Sequence, residues 1–410
     1  MTAASAPTRG FARDTLSLAA GLGGAQALGW AVLPLWSRLF SPGEFAVWGL
    51  WLSVVAVVST VLLLRYDTCI VISRDDAEAR AVLRLCLRLA LWGGIALALL
   101  AWALPEAALQ ALGLSALAAW LPLAVLGGAV AAATAAWLAW ANRQRAYARV
   151  TAARLVLAGV AAAAGSVFGL WGVAGGLLLG QLAGGVAAAL LLARERGSAE
   201  GVAAAARRHV QAPRYLWPSA LLDTVTQQLP MALAVAWFNV PVAGQFSLAW
   251  RVAAIPVLTL AGAAGTVFYE RFANVASGDR AAARTLLLRT WRAFALIGVL
   301  PTALLLLWGE PLFAALFGDR WAPAGALAAV LMPMLWAMLV SSPTSGALIV
   351  LGLQKWSLVF GIAMLLYRPV ALWWGAQQGS LAMGLALWAA AEIVAIVLYN
   401  RLLLRALRPA

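Results

Sequence analysis

A chain of 410 residues that is 64% apolar and only 11% charged, with a mean hydropathy of +0.90, cannot wet the surface of a soluble domain, so lipid is its solvent. Its formal charge of +14 arises from 29 basic against 15 acidic residues. The basic residues form belts along the chain rather than one contiguous field, which argues against nucleic acid and for contact with anionic headgroups of membrane lipids.

In chain order, apolar segments fall near 15–35, 45–64, 85–104, 117–140, 152–169, 170–192, 215–237, 242–268, 289–308, 324–352, 356–375 and 379–400. Each approaches the roughly 20 residues needed to cross a hydrocarbon core of about 30 Å. The runs are continuous rather than alternating, which predicts helices and not a barrel. Only Gly169 to Gly172 separates the fifth from the sixth, so a re-entrant hairpin is an alternative there. Arg9 and Arg13 ahead of the first segment resemble a signal peptide, but no A-x-A site follows, and the segment reads as an uncleaved first helix.

All but four of the 29 basic residues fall in one alternating set of inter-segment loops. The opposite loops, around Pro42, Glu106, Gly169, Pro241, Glu310 and Gly379, hold only Arg38 and Arg320. Positively charged flanks stay cytoplasmic, so both termini are expected inside, with an even number of crossings. Cys69 and Cys86 fall on that reducing side, and no disulfide framework is implied. The Gly176, Gly180, Gly184 series predicts close helix packing.

The chain repeats itself. Ser73, Asp75, Ala77, Ala79, Arg80, Leu83 and Arg88 recur without a gap as Ser277, Asp279, Ala281, Ala283, Arg284, Leu287 and Arg292. Tyr66 and Asp67 precede the first block, Tyr269 and Glu270 the second; Phe40, Pro42 and Phe45 are echoed by Phe238, Pro241 and Phe246. Capping chemistry alone would not fix so many positions. Six segments per half, an even number, make the two halves parallel repeats about an axis along the membrane normal. The expected organisation is an N-terminal six-helix bundle over 1–192, a cytoplasmic linker over 193–214 and a C-terminal six-helix bundle over 215–410.

Several stretches resemble the bacterial polysaccharide-repeat-unit flippases, which carry O-antigen and exopolysaccharide units. They are Arg65-Tyr66-Asp67-Thr68-Cys69-Ile70-Val71-Ile72 with Asp75-Asp76-Ala77-Glu78-Ala79, and Tyr215-Leu216-Trp217-Pro218-Ser219-Ala220-Leu221-Leu222-Asp223 with Gln228-Leu229-Pro230. Ala243-Gly244-Gln245-Phe246-Ser247-Leu248-Ala249-Trp250-Arg251-Val252 is similar again. These flippases share a superfamily with lipid II flippases and multidrug and toxin extrusion transporters. The resemblance implies an all-α polytopic membrane protein of about twelve transmembrane helices in two bundles around a central cavity. It also implies transport of undecaprenyl-pyrophosphate-linked oligosaccharide across a bacterial inner membrane for surface polysaccharide biosynthesis. Implied partners are the lipid-linked glycan, a polysaccharide polymerase and chain-length machinery. An ion-coupled drug antiporter, a lipid II flippase, and a membrane enzyme or scaffold of polysaccharide assembly stand as alternatives.

Charges inside apolar segments point to candidate substrate contacts. Arg251 lies about 14 Å from the outer end of its segment and Arg368 about 18 Å from the inner end of its own. A guanidinium cannot deprotonate and offers a planar fork to phosphate oxygens, which suits a pyrophosphate headgroup; internal pairing with Asp223 or Glu392 is the alternative. Asp223 and Glu392 are expected either to couple an ion, Na+ or H+, or to balance an arginine. Gln26, Gln227 and Gln228 can meet sugar hydroxyls or bridge helices; Trp250 can stack on sugar or pack; Arg38 and Arg65 flank the membrane as headgroup contacts or topology signals. No catalytic pair, metal cluster, Walker motif or nucleophile elbow is legible, so the chain is read as a non-enzyme with no cofactor and no ATP site. His209, in a basic linker, is expected to be solvated, and Glu310 and Asp319 are expected in the longest outer loop, over residues 309–323.

Overall fold

The computed structural model describes residues 23–173, 175–193 and 201–407, and no strand occurs among them. The start of the first apolar segment, with Arg9 and Arg13, lies outside the described residues; its remainder is helical over 23–31 and Leu33–Leu39. The helices that follow include Pro42–Leu63, Leu121–Arg143, Tyr147–Leu170, Gly176–Leu192, Trp217–Trp237, Val240–Ala276, Arg280–Phe317, Ala322–Ser341, Gln354–Gln377 and Leu381–Ala406. Asp76–Arg88 continues through a π turn, Leu89–Gly93, into Gly94–Trp102. Each expected segment thus contains an apolar helix, and nine helices among the described residues are long and apolar enough to cross a membrane. Gly176–Leu192 is shorter, and the fifth and sixth segments are two separate helices, which both the two-crossing and the re-entrant hairpin readings contain.

Helix starts are written in the sequence. Ser41 forms a capping box with Glu44 ahead of Pro42, and Asn239 accepts from the Val242 N–H ahead of Pro241. The internal repeat is realised in the same terms. Asp75 accepts from the Glu78 N–H to start one helix, and Asp279 accepts from the Ala281 and Ala282 N–H groups to start the other. Ala79 and Ala283 are both fully buried, and Leu83 and Leu287 are both core residues. The halves differ immediately upstream. Leu64 and Arg65 take left-handed φ values of 49° and 64°, breaking the first repeat between Pro42–Leu63 and Tyr66–Ile72, whereas Val240–Ala276 runs unbroken through Tyr269 and Glu270.

Two compact units divide the chain, Met1–Gln228 and Leu229–Ala410. The division falls beyond the expected linker because the linker and the following helix are bonded to the first unit. Tyr66 Oη donates to the Ala206 carbonyl at 3.3 Å, Arg208 pairs with Glu78 at 2.9 Å, and Trp217 Nε1 donates to the Thr60 carbonyl at 3.1 Å. His209 is corrected by the same contact network: its Nε2 lies 3.2 Å from Glu78 Oε1 rather than free in solvent. Within this unit Arg143 joins two helices, donating to Asp76 at 2.9 Å and to the carbonyls of Ile70, Val71 and Ser73 at the end of Tyr66–Ile72. The glycine series packs as expected: a Cβ on Gly180 would stand 2.6 Å from the Gly165 nitrogen, and one on Gly184 would strike the Leu157 carbonyl.

In the second unit the outer loop over 309–323 is also corrected. The helix Arg280–Phe317 breaks at Trp308 (φ −132°, ψ 22°), where the expected segment ends, but the chain is helical again through Glu310 to Phe317, and Asp319–Trp321 forms a single 3-10 turn before Ala322–Ser341. Just beyond the break, Gly309 and Gly325 let this helix and Ala322–Ser341 approach to backbone contact. Polar side chains tie the helices, Trp291 Nε1 to Thr344 Oγ1 at 3.0 Å and Ser341 Oγ to Asn400 Oδ1 at 2.7 Å. The tenth segment is helical only to Ser341, and Pro343 opens a separate turn before Ala347–Val350.

The topology is open to a direct check. Cys69 and Cys86 are free and buried, and burial pushes the Cys69 thiol up, so native background labelling is low. Single cysteines near Glu106, Pro241 and Glu310 should react with an impermeant thiol reagent from outside, and those near Gly201 or Ser277 should not. Reversed labelling beyond any point would mark an odd number of crossings before it.

Candidate functional site

The most elaborate polar cluster within the membrane helices lies in the second unit. Glu392, 1% exposed, receives Arg368 through Nη2 to Oε1 at 2.9 Å and Nε to Oε2 at 3.1 Å. Tyr367 Oη donates to the same carboxylate at 2.8 Å and Trp388 Nε1 at 2.9 Å. Helix spacing explains the convergence: Trp388 is four residues before Glu392 on one face, and Tyr367 adjoins Arg368 on the neighbouring helix. The Arg368 guanidinium also sits 5.4 Å from the centroid of the Trp388 ring.

Such an arrangement holds two opposite charges in low dielectric, where the attraction is strong only when the remaining hydrogen-bonding positions are filled. Of the two readings of Arg368, headgroup contact or internal pairing, the structure displays the pairing: its Nε and Nη2 donors go to Glu392. Glu392 acts as the internal charge partner, the alternative already raised for it. Sequence reasoning missed Tyr367 and Trp388, whose signal was their i−4 and adjacent spacing to the charged pair.

Trp250 extends this cluster onto a third helix. It stacks on Trp388 with ring centroids 5.5 Å apart and an interplanar angle of 23°, and Phe246 packs against both. The face of Trp250 toward Trp388 is thus taken by packing, the bland reading of that residue. Arg251 follows it, half-buried, 11 residues or about 16 Å from Val240 at the outer end of Val240–Ala276. That places its charge near the middle of the span, where a permanent cation is costly by roughly 2.5–3.5 kcal/mol on insertion scales.

In the first unit a second polar group forms along Trp217–Trp237. Thr60 and Thr224 hydroxyls lie 3.2 Å apart, and Gln227 Nε2 donates to Asp223 Oδ2 at 2.9 Å. Asp223 and Gln227 are exposed, and Gln228 is half-buried. Gln227 thus serves Asp223 directly. A separate cavity of about 230 Å³ is lined by Trp51, Gly127, Thr134, Leu157 and Gln181; Gln181, set in an otherwise apolar helix, was not singled out from sequence.

The remaining expected contacts are dispersed. Gln26 is half-buried near the start of the described first helix, and Arg38 is exposed in the last turn of Leu33–Leu39, as a topology signal would be. Arg65 is unusual for its backbone: two consecutive left-handed residues cost about 1–3 kcal/mol each, and Arg65 Nε and Asp67 Oδ1 are buried there without hydrogen-bond partners.

The buried cluster makes a sharp stability prediction. Arg368→Met alone should destabilise the folded protein by about 3–5 kcal/mol, because it strands a buried carboxylate. Adding Glu392→Gln should recover most of that loss, measured by thermal unfolding of detergent-solubilised protein. Simple additivity of the two losses would show that the charges do not balance each other.

The comparisons with known proteins follow this geometry. The chain matches the profile described as polysaccharide biosynthesis protein over residues 35–326, more than half its length. No curated protein sequence matches it. Among solved structures, it is similar to an inward-facing multidrug resistance MATE family transporter of the MOP superfamily (TM-score 0.77, 16% identity, 93% of this chain and 95% of that one). It is also similar to the lipid II flippase MurJ in an inward closed conformation (TM-score 0.73, 11% identity, 94% and 87%). A MOP superfamily transporter from Pyrococcus furiosus aligns with TM-score 0.62 at 14% identity over 97% and 96%. At these identities the likeness establishes the fold, and the profile match establishes the family. This multi-pass membrane chain belongs to the polysaccharide biosynthesis protein family and has the fold of MOP superfamily transporters.

Proposed function

We propose that this protein is a flippase that moves undecaprenyl-pyrophosphate-linked oligosaccharide from the inner to the outer leaflet of a bacterial inner membrane, for surface polysaccharide biosynthesis. Family membership supports the pathway, and the observation that carries the substrate reading is the position of Arg251. A polyprenyl tail can stay in lipid and a glycan can cross in water, but the pyrophosphate must pass a region where its charge needs a counter-charge. A guanidinium about 16 Å along a spanning helix supplies one, in a planar fork that matches phosphate oxygens.

The proposed cycle is alternating access by two repeated bundles, with both termini cytoplasmic. Glu392, held by three donor side chains, is a structural group in this reading, and Asp223 is the intramembrane carboxylate assigned to coupling by Na+ or H+. Delivery of lipid-linked glycan to a polymerase outside would draw the cycle forward. The protein performs no bond chemistry in this reading and takes no cofactor.

Reconstituted flux tests the assignment. Arg251→Ala should insert and fold, yet lose flux of the pyrophosphate-linked substrate by about tenfold or more, the scale of a lost charge-assisted contact. Arg251→Lys should keep partial flux, since charge survives without bidentate geometry. Wild-type flux in Arg251→Ala at matched protein level would remove Arg251 from the substrate path.

A further inference from the structure

A groove of about 650 Å³ opens between Gln354–Gln377 and Leu381–Ala406, in the size range of small-molecule sites. Trp356, Phe360 and Tyr367 line it from one helix, and Ala395, Arg401 and Arg405 from the other. Its polar and apolar parts are segregated. Arg401 and Arg405 stand four residues apart on one face of the last turns of Leu381–Ala406, both exposed, at the end that the positive-inside rule makes cytoplasmic. Below them the wall is aromatic and aliphatic, and none of the groove's lining residues is acidic.

The length of the groove is the second clue. Trp356 to Tyr367 spans 11 residues, about 16 Å of helix, which is half of a hydrocarbon core of about 30 Å. An apolar channel one leaflet deep, closed at its cytoplasmic mouth by two arginines, has the shape and charge order of a single inner-leaflet lipid. We infer that this groove binds one anionic phospholipid of the cytoplasmic leaflet, with its phosphate between Arg401 and Arg405 and an acyl chain lying along Phe360 and Ala395 toward Tyr367. The inner end of the groove is mechanically informative, because Tyr367 is the residue whose hydroxyl donates to Glu392. A lipid seated there packs against the support of the buried Arg368–Glu392 pair. The inference is independent of which glycan, if any, the protein carries.

Quenching by brominated lipid tests it. Intact protein is placed in phosphatidylcholine vesicles containing a small fraction of brominated phosphatidylglycerol or of brominated phosphatidylcholine, and the contribution of Trp356 is obtained by difference from Trp356→Phe. Brominated phosphatidylglycerol should quench Trp356 at the lower mole fraction. Each of Arg401→Gln and Arg405→Gln should weaken that preference about fivefold, matching about 1 kcal/mol per basic residue near an anionic surface. Arg401→Lys with Arg405→Lys should retain it, and Ala395→Phe should abolish quenching by filling the groove while leaving the unfolding temperature unchanged. Equal quenching by the two lipids, or a preference untouched by the double glutamine variant, would reduce the arginines to topology anchors and overturn the site. Stronger displacement of the brominated lipid by undecaprenyl phosphate than by unbrominated phosphatidylglycerol would overturn the assigned occupant.

Discussion

The cost of a charge inside hydrocarbon organises this molecule. A helix can cross lipid because its backbone groups are satisfied internally, but an ionised side chain on it needs a partner, a wet surface or a use. Each intramembrane charge shows one of these conditions. Arg368 and Glu392 meet on neighbouring helices, and the carboxylate is completed by Tyr367 and Trp388. Asp223 is exposed and takes a hydrogen bond from Gln227. Arg251 lies half-buried at mid-span, and the proposed function gives its charge a use.

The two halves of the repeat meet the same constraint with different backbones. Equivalent aspartates start equivalent helices at Asp76 and Arg280, and the alanines and leucines that follow bury identically. Only the first half stores two left-handed residues, Leu64 and Arg65, just before its cytoplasmic cap. Gly, Asn or Asp would adopt that conformation at lower cost, so the bulky pair marks a place where the surrounding packing dictates backbone shape. Around it Tyr66 and Glu78 hold the linker helix Val202–Arg208, and Arg143 ties Asp76 to the end of Tyr66–Ile72. The two matching blocks thus sit in different local backbones.

Much of the fold was legible because its signals are local. Hydropathy located the apolar helices, loop arginines set the expected topology, and the repeated block held Asp75 and Asp279, which start equivalent helices. The errors share a cause, which is that loops were inferred from polarity. Glu310 and Pro311 read as a loop, yet the chain turns helical again after the break at Trp308 and stays so to Phe317. His209 read as solvated because its sequence neighbours are basic, while its spatial neighbour is Glu78. The candidate site was legible as a set of charges and not as a set of pairs. Pairing depends on which helix faces lie together, so the choice of Glu392 over Asp223 as the partner of Arg368 was not legible in the chain.

The central claim is that headgroup charge, rather than the tail or the glycan, is what the intramembrane cation recognises. One glycan carried on the same polyprenyl chain, through a pyrophosphate or through an uncharged linkage, separates these contributions in liposomes containing purified protein. Protein-dependent translocation of the pyrophosphate-linked form, with no acceleration of the uncharged form over protein-free liposomes, is the predicted result. Equal protein-dependent rates for both would contradict the account, because the charge would then play no part in transport.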